Sequence, residues 1–178
     1  MIVQHVLVPI DFSPYAEQAL DYALALAQKL QARVILLHVI QPPLVVGGDM
    51  GAWPSLAFVD ELEAAITRDM EGYLARVTAA GLEGEIAVVH GVPFQEILDT
   101  AKKRQVDLII MGTHGRTGLP HILLGSVAEK VVRLAPCPVL IARQPTPGAV
   151  HRGHPMTVYP GGICRLRSTS AEGVVHHD

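Results

Sequence analysis

The chain has 178 residues, 49% of them hydrophobic and 17% charged, with a formal net charge of -3 at pH 7. That is enough apolar material for one packed domain, and the acidic balance removes any general electrostatic reason to seek nucleic acid or an anionic membrane surface, so a basic site must be local. The two cysteines, Cys137 and Cys164, are too few and too far apart for a disulfide framework or a CxxC metal site and read as free thiols. The opening MIVQHVLVPIDFS lacks a basic leader with a long apolar core, and no apolar run approaches the ~20 residues that span a bilayer, so the expected location is cytoplasmic, with no membrane partner.

HVLVPI, from His5, is a short strand that stops at Asp11, and Ser13-Pro14 then reads as an N-cap followed by proline at the first helical position. Ala16, Ala19, Leu20, Ala23, Leu24, Ala27 and Leu30 recur at three- and four-residue spacing, the stripe of a helix that packs closely on a sheet. RVILLHVI is a second buried strand. QPPLVVGGDMGAWPS, rich in proline and glycine, is a loop before a second helix from about Leu56 to Ala80, with Gly81 as its stop. EIAVVHG supplies a third strand, and Pro93 opens a helix in which Phe94, Ile97, Leu98 and Ala101 share a face. Its basic end, Lys102 to Arg104, suits the helix dipole and solvent. VDLIIM is a fourth strand, apolar without alternation, as befits a strand covered on both faces. A helix from about Val127 to Leu134 and a fifth strand, PCPVLIAR, complete an alternation that predicts a doubly wound α/β sheet with parallel strands and helices on both faces. From Gln144 the periodicity ends, and residues 144–178 are expected to be a disordered or loosely attached tail behind a single domain, residues 1–143.

The stretch GTHGRTGLPHILLGS, Gly112 to Ser126, leaves the carboxyl end of strand four, where open parallel sheets bind their ligands. Gly112, Gly115 and Gly118 remove the Cβ atoms that keep an anion from the backbone, and the helix beginning at Gly125-Ser126 adds unpaired N–H groups and a partial positive charge. Arg116 and His114 bring a charge-assisted contact and a ring within the same loop. A plainer reading exists, because Ser126 and Glu129 fit a capping box that would occupy the serine. The loop is neither a Walker A motif nor a GxGxxG fingerprint. Asp11 likewise has two readings, as a ligand contact or as the end of a strand shaping the turn to Ser13. His5, His38 and His90 read as packed side chains, and His151, His154, His176 and His177 lack the spacing of a zinc site.

Gly112, two residues, Gly115, nine residues, then Gly125-Ser126 resembles the G-2x-G-9x-G-S/T signature of the universal stress protein family, in its ATP-binding branch. VLVPIDFSPYAEQALDYALALA, LLHVI and APCPVLIAR resemble that family's first strand and helix, second strand and last strand, so the likeness covers about Met1 to Arg143. The resemblance implies strand order 3-2-1-4-5 and a cofactor, ATP or another adenine nucleotide. It implies that Pro9, Ile10 and Asp11 line the adenosine end, with Asp11 near the ribose or a phosphate-bound Mg. Backbone groups around Val39 then recognise adenine, and Met111 packs against base or sugar. Phosphate contacts fall to Gly112, His114, Gly115 and Arg116 on one side and Gly125, Ser126 and Val127 on the other. It further implies a homodimer through the strand Val139 to Arg143, which a monomer would leave as a sheet edge. The function expected is nucleotide-dependent stress-response signalling with unspecified protein partners. A slow ATPase or phosphotransferase is the enzymatic alternative, and a structural homodimer without turnover is the third. Binding is preferred to turnover because phosphoryl transfer needs metal clamps and a positioned base, and the matching motifs offer a single acidic residue, Asp11.

Overall fold

The computed structural model describes residues 2–41, 59–113 and 124–143 and the backbone of residues 56–58, 156–159 and 163–166. In chain order the elements are β1 (His5–Pro9), α1 (Pro14–Leu30), β2 (Arg33–Ile40), α2 (Leu56–Ala79), β3 (Gly84–His90), α3 (Pro93–Lys103), β4 (Leu108–Gly112), α4 (Ser126–Leu134), β5 (Val139–Ala142), β6 (Met156–Tyr159) and β7 (Ile163–Leu166). Local chemistry explains several boundaries. Ser13 caps α1, its hydroxyl oxygen accepting from Ala16 N–H at 3.3 Å, with Pro14 behind it. Gln31 ends that helix in the left-handed region at φ 56°, and Gly81, at φ 73°, lies just beyond α2. Leu30, last of the predicted stripe and last residue of α1, is 39% exposed.

β1 to β5 form a parallel sheet in the order β3-β2-β1-β4-β5. The first two crossovers travel one way along the sheet and the last two the other way, so right-handed connections put α1 and α2 on one face and α3 and α4 on the opposite face. The core divides accordingly. Val6, Val8, Val34, Leu36, Ile110 and Leu140 pack with α1 and α2, while Leu7, Ile35, Leu37, Ile109, Met111 and Ile141 pack with α3 and α4. Alternation within each strand serves both layers, which is why the sequence shows continuous apolar runs. At the amino ends of β1 and β4, Asp107 Oδ2 accepts from the N–H groups of Gln4 (2.8 Å) and His5 (2.9 Å). These two bonds hold its carboxyl below the usual carboxylate range.

The sheet continues past β5. β7 pairs in parallel with β5 at Leu140↔Cys164, and β6 pairs with β7 antiparallel, giving the full order β3-β2-β1-β4-β5-β7-β6. Eight residues of the tail expected to lack regular structure are therefore strands, and β5 is not the edge of this chain's own sheet. The sequence cue is two short runs of β-forming residues, MTVY and ICRL, on either side of the turn-favouring sequence Pro-Gly-Gly. Four-residue strands are too short to show a period, so periodicity passes over them.

Candidate functional site

The two halves of the sheet diverge between β1 and β4, where the chain enters helices on opposite faces. A cleft of about 560 Å³ opens there at the carboxyl ends of the strands, within the range of small-molecule sites and at the position where doubly wound sheets bind ligands. Nine residues singled out from the sequence line it together: Pro9, Ile10, Asp11, Val39, Met111, Gly112, Gly125, Ser126 and Val127. His114, Gly115 and Arg116 lie outside the described residues.

The cleft has an apolar part and a polar part. Leu37, Val39, Ile97, Phe94 and Met111 form the apolar walls, a slot suited to a flat heterocycle. Lys130 of α4 places its ammonium 4.5 Å from the Phe94 ring centroid, a cation–π contact between α4 and α3 at the rim. The polar part is built from the Asp11 turn and the start of α4. Asp11 Oδ1 accepts from the Ser13 hydroxyl at 2.6 Å and from Ser13 N–H at 3.1 Å. Asp11 thus shapes the entry to α1 and lines the cleft, so its two readings are compatible.

At α4 the N-cap is Gly125 rather than Ser126, and no side chain caps the helix. The capping box that would have occupied Ser126 is not formed. Glu129 N–H bonds the Gly125 carbonyl at 2.9 Å, so the N–H groups of Ser126, Val127 and Ala128 precede the first helical bond. An exposed serine hydroxyl and a helix N-terminus thereby face one cleft. Gly125 N–H in turn bonds the carbonyl of buried Thr113 at 2.7 Å, which holds the end of β4 and the start of α4 beside each other. Thr113, Phe94 and Lys130 also line the cleft, and the sequence did not single them out for it. Phe94 showed only as part of an apolar helix face, and its partner is set by the docking of α4 on α3. Gly112 has a packing role as well, since a Cβ there would stand 2.8 Å from the Tyr15 carbonyl oxygen.

This geometry defines a doubly wound α/β protein with a two-part cleft, one part apolar and one polar, at its topological switch point. The chain belongs to the universal stress protein family, whose model matches residues 3–143. It is 35% identical over 143 residues to the universal stress protein YxiE of Bacillus subtilis, covering 77% of this chain and 97% of the relative. The solved structure of MJ0577 of Methanocaldococcus jannaschii superposes with a TM-score of 0.68 at 34% identity, covering 82% of this chain and 99% of that one. A universal stress protein solved in complex with cAMP superposes with a TM-score of 0.60 at 27% identity, covering 79% and 97% of the two chains. Among the described residues no helix is long and apolar enough to cross a membrane.

Proposed function

We propose that this chain binds an adenine nucleotide, ATP foremost, in the cleft between β1 and β4 and acts in the cytoplasm as a nucleotide-dependent stress-response module. The observation that carries the reading is the pairing, in one cleft, of an apolar slot with the uncapped N-terminus of α4 and the Ser126 hydroxyl. The base would lie between Val39 and Met111 and meet the backbone of Val39. Pro9, Ile10 and Asp11 would flank the ribose. The phosphates would take the N–H groups from Ser126 onward together with Gly112, His114, Gly115, Arg116, Gly125 and Val127. The solved relative holding cAMP supports an adenine nucleotide as the ligand class.

A Mg ion bound with the phosphates would offset their charge. The donor set fits that use, because Mg commonly keeps its waters and takes one or two carboxylates beside phosphate oxygens, and Asp11 supplies one carboxylate at the cleft. Among the described residues no group of three or more His, Cys, Asp and Glu side chains gathers as a protein-only cage. Binding with at most slow turnover is the preferred mode, since a cradle for ground-state phosphates does not by itself favour the transition state. A homodimer along Val139 to Arg143 belongs to the same proposal, with the condition that β7 leaves β5 for a second copy to pair there.

Isothermal titration of the purified protein with ATP, ADP and AMP, with and without Mg, tests the reading. Saturable binding that weakens about ten- to a hundredfold in Ser126→Ala, at unchanged melting temperature, is the expected result, the loss of one hydrogen bond to a charged group. No binding of any of the three nucleotides at millimolar concentration would overturn it.

A further inference from the structure

At the point where β1 leaves the sheet, the parallel ladder with β2 ends in an unusual way. The last register pair is Pro9↔Leu37, and one more rung follows, Ile10 N–H to Leu37 O at 2.8 Å. In a parallel ladder the next rung would run from Val39 N–H to Ile10 O. The bond made to Ile10 O comes instead from a side chain, His38 Nδ1, at 2.7 Å. A carbonyl oxygen only accepts, so Nδ1 carries the hydrogen. His38 is 2% exposed, and its ring lies 4.6 Å, centroid to centroid, from that of Phe12. Phe12 sits at φ 62°, in the left-handed region that a bulky side chain seldom adopts. The chain is thus turned sharply away from β2 at the residue after Asp11, with the His38 ring against the turn.

Successive residues of a strand present their backbone groups to opposite neighbours. Leu37 O is bonded on the β1 side, so Val39, two residues on, presents its N–H and C=O to that side, where β1 has departed and the cleft begins. From this geometry we infer that His38 is a positioning residue for the ligand cleft. By bonding the Ile10 carbonyl from the face of the sheet, His38 holds that oxygen out of line with Val39 N–H; it thereby ends the β1–β2 ladder one rung early, keeps the backbone of Val39 available to a ligand edge, and holds the Asp11 turn in place. The inference rests on the nucleotide reading for the identity of that ligand, but the ladder itself makes a claim about the protein without any ligand.

The test is amide exchange followed by NMR on the full chain without nucleotide, in wild type, His38→Leu and His38→Asn. Leucine fills the buried site and frees the Ile10 carbonyl to turn into line with Val39 N–H, so the rung closes and the Val39 amide should exchange at least tenfold more slowly than in wild type. Asparagine places an amide N–H near the position of Nδ1–H and should restore wild-type exchange. With nucleotide, His38→Leu should bind ATP at least tenfold more weakly and lose preference for ATP over GTP, while His38→Asn stays within about threefold of wild type. Unchanged Val39 exchange in a folded His38→Leu protein would overturn the inference. So would equal ATP affinity in all three proteins. Should His38→Leu not fold, the imidazole tautomer of the wild type decides the matter: long-range 1H–15N spectra must show hydrogen on Nδ1, and an Nε2–H form overturns the inference. If wild type binds no nucleotide while the exchange pattern holds, the nucleotide reading fails and the role of His38 in the ladder stands.

Discussion

At Gly112 an added Cβ atom would stand 2.8 Å from both the Cβ and the carbonyl oxygen of Tyr15, the second residue of α1. The obstacle includes backbone, which cannot rotate aside, so Gly112→Ala must displace the start of α1 from β4 and is expected to cost about 1–3 kcal/mol. A urea midpoint equal to wild type would show that α1 yields without strain. Because α1 also carries the Ser13–Asp11 contact, the same substitution should loosen the polar end of the cleft. Asp107 acts by charge rather than by fit. Its folded pKa lies below the ordinary value of 3.8 because two backbone N–H groups bond the ionised form. A lowered pKa means the unfolded chain binds the proton first, so the stability it adds is present above about pH 4 and is lost as pH falls through the folded pKa. Asp107→Asn should therefore lower the urea midpoint at pH 7 and narrow the difference between pH 7 and pH 3. Equal pH slopes in the two proteins would assign the acid sensitivity to other groups.

The helices and strands were largely legible in the sequence because their signals are local. Ser13-Pro14 starts α1, the β-branched runs are the five parallel strands, and Pro93 opens α3. Much of the cleft was legible for the same reason, since its members sit at strand ends and one helix start. What escaped depends on how elements meet. Lys130 reaches Phe94 only when α4 docks on α3, and the availability of the Val39 backbone depends on where β1 turns away. The boundary of α4 also misled, because a capping box is readable at Ser126 and Glu129, whereas the helix begins one residue earlier with Gly125 as its cap. The cap of α1 gives the prediction at this scale. Ser13→Ala removes the acceptor for Ala16 N–H and one donor to Asp11, and the expected loss is about 1 kcal/mol. If Asp11 contributes to the cleft through this turn, nucleotide affinity must fall in the same variant, measured by titration below its melting transition. Weakened stability with full affinity would separate the cap from the site.

The order of the strands places an unresolved choice at β5. In the five-stranded sheet that strand is the last, and an exposed row of backbone donors and acceptors is a template for pairing with whatever strand comes near. In this chain β7 already lies there, joined at Leu140↔Cys164, so the proposed pairing of a second copy at β5 would compete with β7 for the same backbone groups. The competition is unequal in kind, because the tail is tethered and its local concentration does not depend on protein concentration. A point substitution in β5 is a poor probe of it: Leu140 is 2% exposed and belongs to the core with α1, so Leu140→Lys would unfold the domain before it reported on assembly. Removing the competitor is the cleaner test. A chain ending at Arg143 keeps the whole family-matched region, residues 3–143, and exposes β5. In sedimentation equilibrium it should dimerise at least tenfold more tightly than the full chain, and adding the 144–178 segment as a free peptide should weaken that dimer. Equal dimerisation of the two chains would mean that β7 does not guard the edge, and that assembly uses some other surface.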